Sequence, residues 1–360
     1  MVSSLLKLLC IACLITAAHS SAAQVLKTED VIFKAQKDTI TFGATITSPQ
    51  KKGRYPAVVI VSGTGPQDRN GTMAGHPFFE QIAAYVSESG YVVLRMDDRG
   101  VGQTTGVYSQ ATTRNFAMDA LEAVQFLKSY PAVDTTQIGL LGHSEGGAAI
   151  AIAAAQCADV KFLVSLAGLA TNGLESLFVQ NESLVNSSKL SAIDKKRSNE
   201  INRLMFSVAY QYAHSDSLKS MLETTYNDWK LKDDVYFQSL GIDRDMFRFP
   251  LYSYVNHATG PWYRYFVRYN AEMVLGQIDV PVLAINGDRD TFVLPENLNN
   301  WQQYTMAGRH QKVTTYLLES TNHLLQHCET CQPSEYASLG AIPSSTLAKI
   351  VDWIRTVTKS

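Results

Sequence analysis

The residues best suited to chemistry form one short run, Gly142-His143-Ser144-Glu145-Gly146, followed by Gly147. It comes directly after the apolar stretch 138–141 and opens the alanine-rich stretch 147–156. A G-x-S-x-G run between a buried strand and a helix is the setting of a nucleophile elbow. Small residues two before and two after the serine let strand and helix approach. The serine then sits on a sharp, strained turn with its Oγ above the sheet, and the N–H groups that follow face a developing oxyanion. A bare five-residue match arises by chance in many chains, and the flanking strand and helix are what give this one weight.

A serine hydroxyl is a weak nucleophile and needs a base, which in turn needs an orienting carboxylate. On an open α/β sheet with such an elbow, the chain order is serine, acid, histidine. The apolar run 282–285 leads into Asn286-Gly287-Asp288-Arg289-Asp290, and the run 313–317 leads into Glu319-Ser320-Thr321-Asn322-His323. Both loops follow strand C-termini, the rim where the elbow also lies. Asp290 is the expected acid and His323 the expected base. Asp288 is the rival acid, although Asn-Gly-Asp also favours a turn by itself. His310 precedes its strand, on the wrong rim, and His327 is expected one helical turn beyond His323. The second oxyanion donor should come from the loop after the run 57–61, where Ser62-Gly63-Thr64-Gly65-Pro66 stands. Glycines there let N–H groups turn inward. The expected donors are the backbone N–H groups of Thr64 and Glu145.

These loops require a sheet to position them. Continuous β-branched runs recur at 57–61, 91–96, 138–141, 162–166, 282–285 and 313–317, after two β segments at 31–35 and 39–47. Helical faces lie between them, as in Phe116, Ala120, Val124 and Leu127, and near the end in Leu347, Ile350, Val351 and Ile354. Apolar strands alternating with helices imply an α/β fold, a mostly parallel central sheet covered on both faces. The alternation breaks at 169–272, where no strand run appears. There Ile201, Leu204, Met205 and Val208 share one helical face, and Leu218, Met221 and Leu222 another. This segment is read as a helical cap inserted into a core made of 24–168 and 273–360.

Of the 360 residues, 46% are hydrophobic and 18% charged, which excludes a disordered or collagen-like chain. A net charge of −2 gives no field that would attract nucleic acid or an anionic membrane. Residues 5–17, LLKLLCIACLITA, are too short to span a bilayer comfortably, and Ser21-Ala22-Ala23 before Gln24 fits a small-x-small cleavage site. Residues 1–23 are therefore read as a signal peptide, giving a secreted or periplasmic protein without stable membrane insertion. Lipoprotein processing at Cys13 is the alternative. Export would leave Cys157, Cys328 and Cys331. Cys328-Glu329-Thr330-Cys331 is one C-x-x-C without a second pair, weak for zinc; in an exported protein a local disulfide beside the base is expected, with Cys157 as a buried free thiol.

The chain resembles the secreted esterases of the α/β-hydrolase superfamily, of the EstD type and more loosely the dienelactone hydrolases. SGTGPQDRNG at 62–71, LRMDDRGVGQTTG at 94–106, GHSEGG at 142–147 and TNHLLQ at 321–326 carry the resemblance. GPWYRYFVRYN at 260–270 and PVLAINGDRD at 281–290 add to it, so that it covers roughly residues 55–330. It implies ester hydrolysis through an acyl-enzyme, with Ser144 as nucleophile, Asp290 as acid and His323 as base. Dienelactone hydrolases use a cysteine nucleophile, and none stands at this elbow. In this family Asp97-Asp98-Arg99 reads as a structural rim loop held by arginine–carboxylate pairing. Trp262, Tyr263, Tyr265 and Phe266 are candidate lining of an acyl pocket, though aromatics at that density serve equally as core. The expected partner is a small-molecule ester, and no cofactor or metal is called for. A serine peptidase or acyltransferase on the same fold is the alternative, because cap and pocket rather than fold decide between them.

Overall fold

The apolar runs become the strands of a single eight-stranded sheet. The computed structural model describes residues 25–241, 250–308 and 313–358. The leader read at 1–23, Cys13 and the rival base His310 lie outside the described residues. The sheet strands are β1 (Leu26–Lys34), β2 (Thr41–Pro49), β3 (Tyr55–Val61), β6 (Val92–Met96), β7 (Val133–His143), β8 (Val160–Leu166), β9 (Val282–Gly287) and β10 (Val313–Leu318). A two-residue hairpin, β4 (Thr72–Met73) with β5 (His76–Pro77), interrupts the order.

The spatial order is β1-β2-β6-β3-β7-β8-β9-β10. β1 pairs antiparallel with β2, and β2 with β6; every later pairing is parallel. From β6 through β10 all C-terminal ends therefore reach one rim, and the loops after β3, β6, β7, β8, β9 and β10 meet there. Burial follows strand position. β9 is buried throughout, whereas the edge strand β1 alternates toward solvent.

Side chains alternate across the sheet and feed two cores. Ala57, Val59 and Val61 of β3 face helices α2 (Thr113–Lys128) and α3 (Glu145–Gln156). Val58 and Ile60 face the other way, toward α1 (Phe78–Glu88) and α11 (Ser344–Val357). The expected faces are buried, Phe116, Ala120, Val124 and Leu127 on α2 and Leu347, Ile350, Val351 and Ile354 on α11.

Between β8 and β9 lie α4 (Gly173–Ser187), α5 (Ala192–Tyr212), α6 (Leu218–Ser239), α7 (Leu251–Ala258), α8 (Pro261–Phe266) and α9 (Ala271–Leu275). The two ends of this segment are stitched together: Asn172 Oδ1 accepts from the Ala271 N–H at 2.8 Å, and the Gly173 N–H donates to the Tyr269 carbonyl at 2.9 Å. A Cβ on Gly173 would lie 1.7 Å from the Phe266 carbonyl oxygen, so only glycine fits at this joint. On α5 the buried face is Ile201, Met205 and Ala209, while Leu204 is exposed, because the neighbouring helices cover a narrower stripe than the sequence offers. Helix α10 (Asn297–Gly308) follows β9. Among the described residues no helix is long and apolar enough to cross a membrane.

Candidate active site

Ser144 sits at the turn between β7 and α3 with φ +56° and ψ −121°, in the left-handed region that a side chain rarely adopts. Backbone crowding explains the small neighbours. A Cβ on Gly146 would lie 2.5 Å from the carbonyl oxygens of Val61 and Ser62, at the end of β3. That close approach brings the elbow against the Ser62–Gln67 loop. Ser144 itself is half-buried, while the residues on either side of it are buried.

His323 follows β10, and its Nδ1–H donates to Asp290 Oδ2 at 2.8 Å. The other oxygen of Asp290 accepts the N–H groups of Phe292 at 2.8 Å and Val293 at 3.0 Å, so the loop after β9 fixes the carboxylate. Both side chains are buried, Asp290 at 2% exposure and His323 at 8%. The rival Asp288 is turned away, and its Oδ1 accepts the Thr321 N–H at 3.2 Å. Ser144 Oγ and His323 Nε2 make no direct hydrogen bond. The second imidazole is also corrected: His327 is exposed and pairs with Thr321 in an antiparallel bridge, since the chain after His323 forms a tight turn and not a helix.

Three supports of this histidine were not anticipated. His143 Nε2–H donates to the His323 carbonyl at 3.1 Å, with the two rings 4.8 Å apart. Full burial pushes the His143 pKa down to about 3, so this imidazole stays neutral. Asn322 Oδ1 accepts the N–H groups of Leu324 at 2.9 Å and Gln326 at 3.0 Å, which closes the turn. The Tyr336 hydroxyl accepts the His323 N–H at 3.4 Å. Cys328 and Cys331 are joined as a disulfide just beyond, and the Cys328 N–H donates to Ser320 at 2.9 Å. Cys157 is a free thiol but only half-buried, because it caps α3 where that helix reaches the surface.

Thr64 lies on the loop after β3, and Glu145 opens α3. Neither the Thr64 N–H nor the Glu145 N–H is taken by another group among the described residues. Their loop is clamped from beneath. Asp98 accepts from Ser62 Oγ at 2.5 Å and from the Gln67 N–H at 2.8 Å, and the Tyr108 hydroxyl accepts the Gly65 N–H at 2.7 Å. Burial raises the Asp98 pKa to about 7 against these donors. The rim loop also holds its arginine pairs: Arg69 bridges Asp97 at 2.6 Å, and Arg99 bridges Asp119 at 2.6 Å.

The aromatic run does not line one pocket. The Trp262 indole turns to the elbow and donates to Glu145 Oε1 at 2.7 Å. Phe266 is buried and stacks behind it, 4.8 Å between centroids. Tyr263 points elsewhere, into a cavity of about 200 Å³ inside the insertion lined also by Met205, Phe206 and Tyr254. Tyr265 is half-buried. Helical spacing separates these neighbours by about 100° each, so a run of adjacent aromatics on α8 must face different ways. No member of the Ser144, Asp290, His323 set lines that cavity.

Residues 38–325 match the family model described as X-Pro dipeptidyl-peptidase (S15 family). Esterase EstD of Thermotoga maritima is 26% identical over 311 residues, 86% of this chain. The chain spans only 64% of that esterase's length. Among solved structures, the α/β hydrolase GrgF from Penicillium superposes with a TM-score of 0.56 at 19% identity, covering 93% of this chain and 100% of that one. The Pyrococcus furiosus esterase Pf2001 does so with a TM-score of 0.55 at 15% identity, covering 92% and 91%. The fold is that of the α/β hydrolases.

Proposed function

From the premise that this chain belongs to the X-Pro dipeptidyl-peptidase family of α/β hydrolases, we propose that it is a serine hydrolase that cleaves carboxylic esters through an acyl-enzyme. The pairing of His323 Nδ1 with Asp290 Oδ2 at 2.8 Å carries the reading. It fixes the tautomer in which Nε2 is unprotonated and free to accept the Ser144 proton. Ser144 Oγ attacks the ester carbonyl as Nε2 takes that proton. The N–H groups of Thr64 and Glu145 receive the charge on the carbonyl oxygen, and Asp290 stabilises the imidazolium. His323 then protonates the departing alcohol. Water, deprotonated by the same imidazole, releases the acid and restores the serine.

Peptide hydrolysis is the second reading, favoured by the name of the matched family model. The curated relative at 26% identity is an esterase, and one fold hosts both reactions. Parallel assays on p-nitrophenyl esters of increasing acyl length and on X-Pro p-nitroanilides separate the two. The expected result is turnover of the esters with little or none of the anilides; efficient cleavage of the anilides alone would replace the first reading with the second.

Residues 169–272 are assigned in this reading as the cap that shapes the alcohol and acyl sites, and 1–23 as an export leader. N-terminal sequencing of the processed protein tests the leader. A start at Gln24 supports it, and an intact Met1 contradicts it.

A further inference from the structure

Glu145 is the single acidic residue within 138–156, a stretch otherwise built, His143 and the terminal Gln156 apart, of small and apolar side chains around the elbow. Its carboxylate is buried, with the residue 3% exposed. Isolating an acid there is unfavourable unless its oxygens are filled with donors. Three fill them, from three parts of the chain. Thr64 Oγ1 donates to Oε2 at 2.7 Å, Thr113 Oγ1 to Oε1 at 2.6 Å, and Trp262 Nε1 to Oε1 at 2.7 Å. Thr64 belongs to the oxyanion loop, Thr113 opens α2, and Trp262 comes from α8 of the insertion.

We propose that Glu145 is a positioning residue that assembles the oxyanion pocket, holding the Thr64 loop, the start of α2 and Trp262 of the insertion around the nucleophile. The inference rests on the serine-hydrolase reading. One residue thus offers its own N–H to the oxyanion and fixes the side chain of the residue that offers the other. The pocket is complete only when the insertion is seated, because the indole of Trp262 occupies Oε1. The three bonds act through shape more than charge. Burial raises the carboxyl pKa against the pull of the donors, and an amide of the same shape keeps an acceptor for Trp262 and Thr113.

The test compares Glu145→Ala, Glu145→Gln, Thr64→Val and Trp262→Phe, reading kcat and KM on p-nitrophenyl butyrate and the affinity for an alkyl trifluoromethyl ketone, which forms a tetrahedral adduct with the serine. Losing one oxyanion donor outright lowers kcat by about a hundredfold to a thousandfold, and a displaced donor loses less. Glu145→Ala is therefore expected to lower kcat by about a hundredfold and to weaken the ketone in step, with KM little changed. Trp262→Phe and Thr64→Val should each show a loss of up to about tenfold with the same split, as for one ordinary hydrogen bond. Glu145→Gln should recover most of the activity. The two milder variants decide the matter where the alanine variant does not fold. Variants that lose only thermal stability, with kcat and ketone affinity unchanged, overturn the inference. A wild-type chain that neither turns over the ester nor binds the ketone overturns instead the reading beneath it.

Discussion

At the sheet rim, buried polar groups are fastened by directed bonds: Asp98 beneath the Ser62–Gln67 loop, Asn322 inside the His323 turn, Glu145 between three donors, and Arg69 and Arg99 on their aspartates. In the helical insertion the interior is mostly apolar, with Ile201, Met205, Phe206, Leu218 and Leu222 packed between α5 and α6. A buried ion pair crosses there, Arg197 with Asp233 at 2.6 Å. Directed bonds fix atoms to within a few tenths of an ångström, whereas apolar packing tolerates re-packing if volume is kept. The rim is thus the part suited to hold side chains in place, and the insertion the part that tolerates re-packing. Changes at the groups that touch the elbow, Trp262 included, should appear in kcat, and changes inside the insertion chiefly in stability.

The sharpest break of that contrast is at the acid. Asp290→Asn should lower kcat by about 10⁴-fold, as expected when the imidazole is left in the wrong tautomer. Asp288→Asn, two residues away, should change it only a few-fold, because its carboxylate bonds the Thr321 N–H and not the imidazole. Steady-state kinetics of the two variants decide, and the reverse order would move the acid to Asp288.

In the insertion the expected readout is different. Arg197→Ala removes the bidentate hydrogen bonds to Asp233 and should cost about 1.5–3 kcal/mol in folding stability, as for hydrogen bonds to a charged group. Denaturant titration measures it, and kcat of the folded fraction on a small acetate ester should stay within a few-fold. A kcat collapse with unchanged stability would dissolve the distinction between the two regions.

The smallest effect sharpens the rim side. Asp98 holds its proton more tightly when folded, with the pKa raised from 3.8 to about 7 by burial. The stability this contributes is complete below about pH 3.8 and is lost as pH rises through about 7. Thermal unfolding between pH 5 and 8 should therefore show the wild type losing stability relative to Asp98→Asn. Parallel pH curves for the two would contradict a raised pKa at this position.

Much of the frame is legible in the sequence because parallel strands buried on both faces must be continuous apolar runs, as in 57–61 and 282–285. The meeting of Ser144, Asp290 and His323 at one rim is legible because all three follow such runs, and parallel pairing brings those ends together. Helix α1 is less visible, since its apolar face Phe78, Phe79, Ile82, Ala83 and Val86 follows a proline and an irregular hairpin. The supports of His323 are invisible for another reason. His143 lies 180 residues from the carbonyl it holds, and Glu145 lies 117 from the indole that holds it, so no local spacing encodes either contact. A signal for Glu145 does exist: a lone acid opening an alanine-rich, buried helix must have partners. The aromatic run on α8 could not be sorted from spacing, because its three outcomes depend on which neighbour each ring meets.

The central claim is that Ser144 is the nucleophile, and mass-resolved labelling with a fluorophosphonate tests it most directly. One adduct per chain, mapped to Ser144 and absent from Ser144→Ala while the variant stays folded, is the result this account predicts. An adduct of the same mass on folded Ser144→Ala, or none on the wild type, would contradict it.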